Sequence, residues 1–406
     1  MNKILKGSFE LMKQLNVSAV LKVIRDNGSL SRAEIAKLTG LTPASVTNIT
    51  KILIEDKFLI ESKIGESSGG RPPIILELNL NARYVIGIGI GVGVIDVVIT
   101  NLSAQIITKK SIIIDNERYN YDLVFKKLIN LINEVLESSE LDKEKILGVG
   151  VALHGIVNAR TGESIHSLYY GWKNKNIKED LEEELELTVY VDNDVRAMAL
   201  GESWFGVTKD IANFVTLNIS NGIGAGIIIN NTPYYGVDFS AGEIGHIVVE
   251  ADGDKCNCGN YGCLETVSSN NNIIRKAIKL IKQGVSTSLS RDVEDINKLS
   301  IQDICDAAKN GDEMSITILK EAARYIGIAI TNLINILNPT AIVVVGEIFE
   351  NTTYAIETLN EIVKNRGLKL SIENVRIIRS LLGRDAAVIG AATLVIQEIF
   401  NGINRK

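Results

Sequence analysis

The 406-residue chain is 46% hydrophobic and 23% charged, with a formal net charge of −6. This length fits two or three globular domains with their own cores, and the acidic balance argues against nucleic-acid binding by the surface as a whole. The longest apolar run, Val85 to Thr100, is broken by glycines and Asp96, which excludes a membrane span, and no apolar stretch follows Met1-Asn2-Lys3 to act as a secretory signal.

The charge is unevenly spread. Residues 1–80 hold 11 Lys/Arg against 8 Asp/Glu, whereas the remainder holds 32 against 41. A mildly basic head on an acidic body places any nucleic-acid contact in the head. In that head, Val17, Val20, Leu21 and Ile24 have helical spacing from Asn16 to Asp26, and Asn27-Gly28 ends the helix. Ser31 with Glu34 forms a capping box for a second helix, whose inward face is read as Ile35, Ala36 and Leu38. Thr39-Gly40-Leu41 is a turn, and Thr42-Pro43 opens a third helix buried through Val46, Ile49, Leu53 and Ile54. Two strands, Leu59 to Ile64 and Ile74 to Leu80, flank a Gly/Ser-rich tip. Helix, turn, helix and hairpin in this order predict a winged helix-turn-helix. Ala44, Ser45, Thr47, Asn48 and Lys51 would face a major groove, with Arg32, Lys63 and Arg71 reaching the backbone or minor groove of double-stranded DNA. The competing reading is a protein-docking domain with a hairpin.

From residue 84 the pattern becomes α/β. Val85 to Ile99 and Phe214 to Ile229 both read as glycine-containing strand pairs, which predicts two related lobes with a ligand cleft between them. A helix is expected from Met314 to Leu337, a buried strand from Ala341 to Val345, and a last helix from Ala386 to Phe400 returning to the first lobe. Polar residues gather at Asp192-Asn193-Asp194, at Glu243 with His246, and at Glu265. Carboxylates and amides of this kind suit sugar hydroxyls, which both donate and accept. Taken singly, Asp192 and Glu202 read as solvated cap or turn residues, and His154 and His166 as ordinary loop residues, with His154 beside Gly155 also a candidate for the cleft.

Three of the four cysteines fall within eight positions, as Cys256-Asn257-Cys258 and Cys263, with His246 just before. One His and three Cys form a tetrahedral structural zinc set with no open position, which braces a loop and does not activate water. Three free thiols, or one disulfide plus a spare thiol, is the alternative. So few cysteines, clustered in this way, fit a reducing cytoplasm.

Ala241-Gly242-Glu243-Ile244-Gly245-His246, the Cys256 to Glu265 segment and Asn193-Asp194 with Gly201-Glu202 resemble the ROK (repressor, open reading frame, kinase) family. The Gly69-Gly70-Arg71-Pro72 tip is similar to its repressor branch, which includes the xylose repressors. The resemblance implies an actin-like, sugar-kinase type fold and a homodimer or dimer of dimers. It places Asn193, Asp194, Glu243, His246 and Glu265 around a sugar, and His246, Cys256, Cys258 and Cys263 on zinc. The family's kinases open their first lobe with Asp-x-Gly-Gly-Thr, where this chain has Gly89 and Gly93 in place of the Asp and Thr. Their second phosphate loop, Gly-Thr-Gly, is here Ser220-Asn221-Gly222, and Glu347 follows Gly346 after the late strand. Phosphoryl transfer needs the phosphate charge neutralised, so these changes oppose it.

The sequence thus predicts a winged helix-turn-helix over 1–80, a first lobe over 81–205 plus 386–406, and a second lobe with the zinc site over 206–385. The expected function is a cytoplasmic repressor that binds a palindromic operator as a dimer and responds to a monosaccharide, xylose by resemblance. A sugar kinase with a DNA-binding head, or a regulator governed by a protein partner, are the rivals.

Overall fold

The computed structural model describes residues 9–64, 73–114, 119–293 and 295–401. Its head is built on three helices, α1 (Phe9–Asn27), α2 (Arg32–Thr39) and α3 (Pro43–Glu55). The capping box forms: Ser31 Oγ accepts from the Glu34 N–H, and the Glu34 carboxylate accepts from the Ser31 N–H. Thr42 caps α3, with Pro43 in the first turn. Two readings are corrected. α1 begins at Phe9 and not at Asn16; Met12, Lys13 and Leu15 are exposed there, so its early turns show no apolar stripe. Leu38 is 52% exposed, because Ile35, Ala36 and Thr39 define the inward arc of α2 and leave Leu38 to one side. Strands β1 (Leu30–Ser31), β2 (Leu59–Ile64) and β3 (Ile74–Leu78) pair antiparallel in the order β1-β3-β2. The hairpin tip lies outside the described residues.

The body contains two five-stranded sheets with one plan. In the first, β4 (Tyr84–Ile90), β5 (Val94–Asn101) and β6 (Ile106–Ile113) form an antiparallel meander. After α4 (Tyr121–Ser139), β7 (Ile146–Leu153) joins β4 in parallel. A small sheet of β8 (Ile156–Asn158), β9 (Glu163–Ser167) and β10 (Trp172–Lys175) and helix α5 (Ile177–Leu185) precede β11 (Val189–Asn193), which lies parallel to β7. The order is β11-β7-β4-β5-β6. Helix α6 (Asp194–Phe205) then leads to the second sheet. There β12 (Phe214–Ile219), β13 (Ile223–Ile229) and β14 (Thr232–Pro233) again form a meander.

Helices α7 (Leu264–Ser268), α8 (Asn270–Lys282), α9 (Leu289–Asp292), α10 (Ile301–Lys309) and α11 (Glu313–Leu337) follow. Fully buried Leu319, Ile326, Ile330 and Ile334 of α11 share a core with Leu217 of β12. Next come β15 (Ala341–Val345), α12 (Glu347–Glu350), α13 (Tyr354–Arg366), α14 (Lys369–Ile372) and β16 (Arg376–Arg379). The order β14-β13-β12-β15-β16 repeats that of the first sheet. The duplication expected from the two glycine-containing hairpins is therefore present. Several body elements, β6, β7 and α4 among them, carry no expectation from the sequence; β6 alternates half-buried and exposed residues and so lacks the continuous apolar run of its neighbours.

The last helix, α15 (Ala386–Asn401), packs on β4, β7 and β11, as expected, and α6 is wedged between α15 and the β12–β13 pair. Their backbones touch: a Cβ on Gly390 would lie 2.1 Å from the Ala197 carbonyl oxygen, and one on Gly150 would lie 1.8 Å from that of Ala391. The far ends of α6 and α15 meet the head, where Ser18 Oγ donates to the Phe400 carbonyl at 2.6 Å. No helix among the described residues is long and apolar enough to cross a membrane.

Candidate functional site

In the head, α3 is anchored by buried Val46, Ile49 and Leu53, which turns Ala44, Thr47, Asn48 and Lys51 outwards and leaves Ser45 half-buried. Thr47 donates to the Pro43 carbonyl at 2.8 Å, and Ser45 pairs with Thr42 at 2.9 Å, so these hydroxyls are partly used by the helix itself. Arg32 is also engaged: its guanidinium donates to Thr50 Oγ1 and to the Glu61 carboxylate, each at 3.1 Å. Lys63 is described by its backbone in β2 only, and Arg71 lies outside the described residues.

A cleft of about 380 Å³ opens between the two sheets, within the usual size range for a small-molecule site. One end is built from strand and helix termini. Asn193 ends β11 and caps α6, accepting from the Val195 and Arg196 N–H groups at 3.0 and 3.1 Å. Its Nδ2 donates to the Gly155 carbonyl at 3.0 Å and to Asp194 at 2.8 Å. The Asn193 amide is thus fully committed, and its evident work is to orient Asp194. His154, just past β7, has Nδ1 3.6 Å from the other Asp194 oxygen. Burial opposes protonation of His154, but Asp194, Glu265 and Glu243 outweigh it and raise the pKa overall. Glu265 accepts from the Ile223 N–H at 3.2 Å, and burial pushes the Glu243 carboxyl upward.

Asp192 and Glu202 are not solvated caps: they are 2% and 0% exposed. Asp192 pairs with Arg196 at 2.7 Å, while Arg196 also donates to the Phe239 and Val157 carbonyls. Glu202 accepts from the Val207 N–H and from Ser380. Both lock α6 in place. The Asp192–Arg196 spacing of four, across the junction of β11 and α6, was the available signal; nothing local foretold Ser380.

The other end of the cleft contains Gly89, Gly91, Asp96, Lys109, Asn221, Glu347, Glu350 and Arg384. Gly89 stands opposite Asp96 in the β4–β5 pairing. Lys109 lies 3.4 Å from Asp96 and 2.7 Å from Asp385. Glu347 accepts from Asn270 at 2.9 Å, and Arg384 donates to Gln302 at 3.1 Å while facing Glu350 at 4.0 Å. Tyr170 donates to the Gly91 carbonyl at 2.8 Å, and a Cβ at Gly93 would meet the Tyr169 hydroxyl at 3.1 Å. The β4–β5 turn is therefore closed over by two tyrosines, Tyr169 and Tyr170. Asn221 joins the lobes by donating to the Val92 carbonyl at 3.4 Å.

His246, Cys256, Cys258 and Cys263 converge, with one donor atom of each lying within 4.8 Å of the others. His246 Nδ1 is 3.6 Å from Cys256 Sγ, and Cys258 Sγ is 3.7 Å from Cys263 Sγ. All four cysteines are free thiols, so no disulfide forms. One imidazole and three thiols at such separations fit a tetrahedral zinc ion. Cys256 and Cys263 are buried, contrary to their polar neighbourhood in the sequence. The loop folds back on itself through the Val248–Cys263 and Lys255–Tyr261 bridges, which supply the cover. Burial, reinforced by the neighbouring thiols, pushes the Cys263 thiol up to about 12. His246 also lines the cleft together with Glu243 and Glu265, which flank the cluster in the sequence.

The sequence profile of the ROK family matches residues 85–398, and that of a winged helix-turn-helix DNA-binding domain matches residues 14–59. The xylose repressor of Caldicellulosiruptor bescii is 32% identical over 405 residues, covering 97% of this chain and 98% of that protein. The DNA-binding transcriptional dual regulator NagC of Escherichia coli K12 is 33% identical over 397 residues, covering 98% and 96%. The crystal structure of a ROK family transcriptional regulator, a homologue of the E. coli MLC protein, superposes with a TM-score of 0.84 at 30% identity, covering 97% of this chain and 98% of that one.

Proposed function

The chain belongs to the ROK family, and from that premise we propose that it is a cytoplasmic transcriptional repressor that grips a palindromic operator as a dimer and is released by a monosaccharide. Relatives of matching length include the xylose repressor and NagC, so xylose and N-acetylglucosamine are the first sugars to test. The observation that carries the reading is the course of α6. Its N-terminus presents Asp194 to the cleft, and its C-terminus holds Trp204 under Arg25 of the head. Twelve residues span about 18 Å, so one buried rod connects the two sites.

In this reading Asp194, Glu243 and Glu265 accept from sugar hydroxyls, Asn193 holds Asp194, and His246 borders the sugar. His246, Cys256, Cys258 and Cys263 hold zinc, which when bound supplies rigidity and no open coordination position. Ala44, Ser45, Thr47, Asn48 and Lys51 face the major groove, with Lys63 and Arg71 on the wing. Arg32 joins them only by leaving Thr50 and Glu61. Sugar bridging the lobes shifts α6 and α15, and a tenfold change in operator affinity requires about 1.4 kcal/mol of preference between the two states. The domains divide at residue 80 and, within the body, at 205 and 385.

The cleft does not support phosphoryl transfer in this reading. Gly89 provides no carboxylate to orient a metal, Gly93 is packed under Tyr169, Asn221 is spent on the interlobe contact, and Glu347 sets a negative charge where phosphates would need neutralising. Titration of the promoter-region duplex with xylose, glucose and N-acetylglucosamine tests the whole reading. Operator binding weakened at least about tenfold by one sugar is expected. A chain that ignores the duplex under all conditions, or that turns over ATP in a sugar-dependent way, would overturn it.

A further inference from the structure

Exposure divides the thiol cluster unequally. Cys256 and Cys263 are 4% and 0% exposed, whereas Cys258 is open to solvent. Cys258 sits at the tip of its loop. The Cys256 N–H donates to the Asn260 carbonyl at 2.7 Å, the Gly259 N–H donates to the Cys256 carbonyl at 3.0 Å, and every residue from Asn257 to Tyr261 is exposed. Behind the tip, Cys263 Sγ lies 3.7 Å from Cys258 Sγ. Cys256 Sγ faces His246 Nδ1 at 3.6 Å. Only Asn257 separates Cys256 from Cys258, so a bridge between those two would close a strained ring. The remaining thiol, Cys305, is buried on α10 and lies outside the cluster.

We propose that Cys258 and Cys263 form a peroxide-sensitive switch on the sugar response, a step that rests on the zinc and sugar readings above. Thiols that hold a metal are thiolates, and oxidation selects an exposed thiolate with a second thiol beside it. The Cys258 thiolate attacks one oxygen of hydrogen peroxide; the O–O bond breaks, hydroxide leaves, and Cys258 becomes a sulfenic acid. The buried Cys263 thiolate then attacks the Cys258 sulfur and expels a second hydroxide. The thiolate pair has lost two electrons, peroxide has gained them, and an S–S bond is closed. For this the sulfurs approach from 3.7 Å to about 2.05 Å. The exposed tip can absorb that movement, because a Cβ at Gly259 would have nothing within 4 Å. His246 and Cys256 are then the only ligands left, and the cluster releases the ion. His246 also lines the cleft, so its release alters the sugar site directly. In the reducing compartment proposed above such a disulfide is transient, as redox-sensing disulfides are.

The test treats the full-length, zinc-loaded protein with hydrogen peroxide. Zinc release is read with a chromophoric chelator, the disulfide by mass mapping of peptides, and sugar binding by calorimetry with xylose, glucose and N-acetylglucosamine. Zinc release is expected to keep pace with an intramolecular Cys258–Cys263 disulfide. Affinity for the sugar that binds should fall at least about tenfold, and dithiothreitol with added zinc should restore both. Cys305→Ala should respond as the native chain does. Zinc that stays bound while free cysteine in the same solution is oxidised would overturn the proposal. So would a disulfide joining Cys258 to a second chain, or zinc release that leaves sugar affinity unchanged, since oxidation would then be damage and not control. A chain that takes up no zinc before peroxide is added, or that binds none of the sugars, is a different result: it removes the zinc or sugar reading itself, and the switch with it.

Discussion

The guanidinium of Arg25, on the first helix of the head, lies 4.1 Å from the centroid of the Trp204 ring at the end of α6. Phe400 of α15 adds a second ring at 5.7 Å, and Trp204 and Phe400 pack edge to face at 5.7 Å. Two body helices thus end in one aromatic seat for the head. The other end of α6 is Asp194, in the cleft. A tilt of this helix on sugar binding would reach the head without passing through a loop.

Replacing Trp204 by Ala therefore separates the two functions. A cation–π contact of this kind contributes about 1 kcal/mol, so the ratio of operator affinities without and with sugar should shrink about fivefold. Sugar affinity should stay within about twofold, as the cleft is untouched. Arg25→Lys keeps the charge and should be milder. Operator titrations in the presence and absence of sugar read the ratio; an unchanged ratio in Trp204→Ala would remove α6 from the coupling.

Zinc content gives the second prediction. Cys258 is the exposed member of the cluster, whereas Cys256 and Cys263 are buried, so Cys258→Ser removes a ligand without opening the core. Zinc affinity should fall by more than the 10–100-fold typical of losing a supporting partner. Sugar binding should weaken with it, because the loop carries Glu243 and Glu265. Elemental analysis of the purified variant decides it: full zinc occupancy would show that the cluster is not the metal site.

What could be read from the sequence was local chemistry. The Ser31–Glu34 box, the Thr42-Pro43 start and the Cys256–Cys263 spacing each lie within a few residues, and each formed as expected. Repeated glycine hairpins disclosed the duplicated sheets because the signal is periodic. Long-range partnerships left no such trace. Arg25 and Trp204, or Glu202 and Ser380, are brought together only by the packing of α6, α15 and the head. Tyr169 and Tyr170 likewise meet the β4–β5 turn only through the fold, Tyr170 lying 79 residues from Gly91. Arg32 is another such case: its pairing with Glu61 on β2, 29 residues away, left no local mark beside the groove-facing helix.

Asn48 on α3 supplies the third prediction. It is exposed, so Asn48→Ala should leave the melting temperature unchanged. If its amide reads a base edge, operator affinity should fall by about 1–3 kcal/mol. Thr42→Ala should behave differently: loss of the cap to the Ser45 N–H costs about 1 kcal/mol of stability in the head. Paired melting and operator-binding curves distinguish them. Equal losses in both assays for Asn48→Ala would assign that residue to folding and not to recognition.

The last prediction concerns pH and turns on His154. Three carboxylates outweigh its burial and raise its pKa in the folded chain above the ordinary value of 6.5. A group whose pKa is raised on folding binds its proton more tightly in the native state. Its stabilisation is therefore fully present below about pH 6.5, and is lost as pH rises through the higher folded value. His154→Gln removes the charge and keeps a polar side chain. The melting-temperature advantage of the native chain over this variant should be largest below about pH 6.5 and shrink steadily as pH rises above it. A difference that is flat across the range, or that grows towards alkaline pH, would contradict the sign. The partners also set the direction of any motion. Asp194 lies at the cleft end of the first sheet, whereas Glu243 and Glu265 belong to the segment around the second, and the His154 ring is close to the Cβ position at Gly222 in the β12–β13 turn. A protonated His154 thus attracts both lobes at once, so acid should favour the closed cleft, and a sugar that binds between the lobes should bind more tightly as pH falls through the same window.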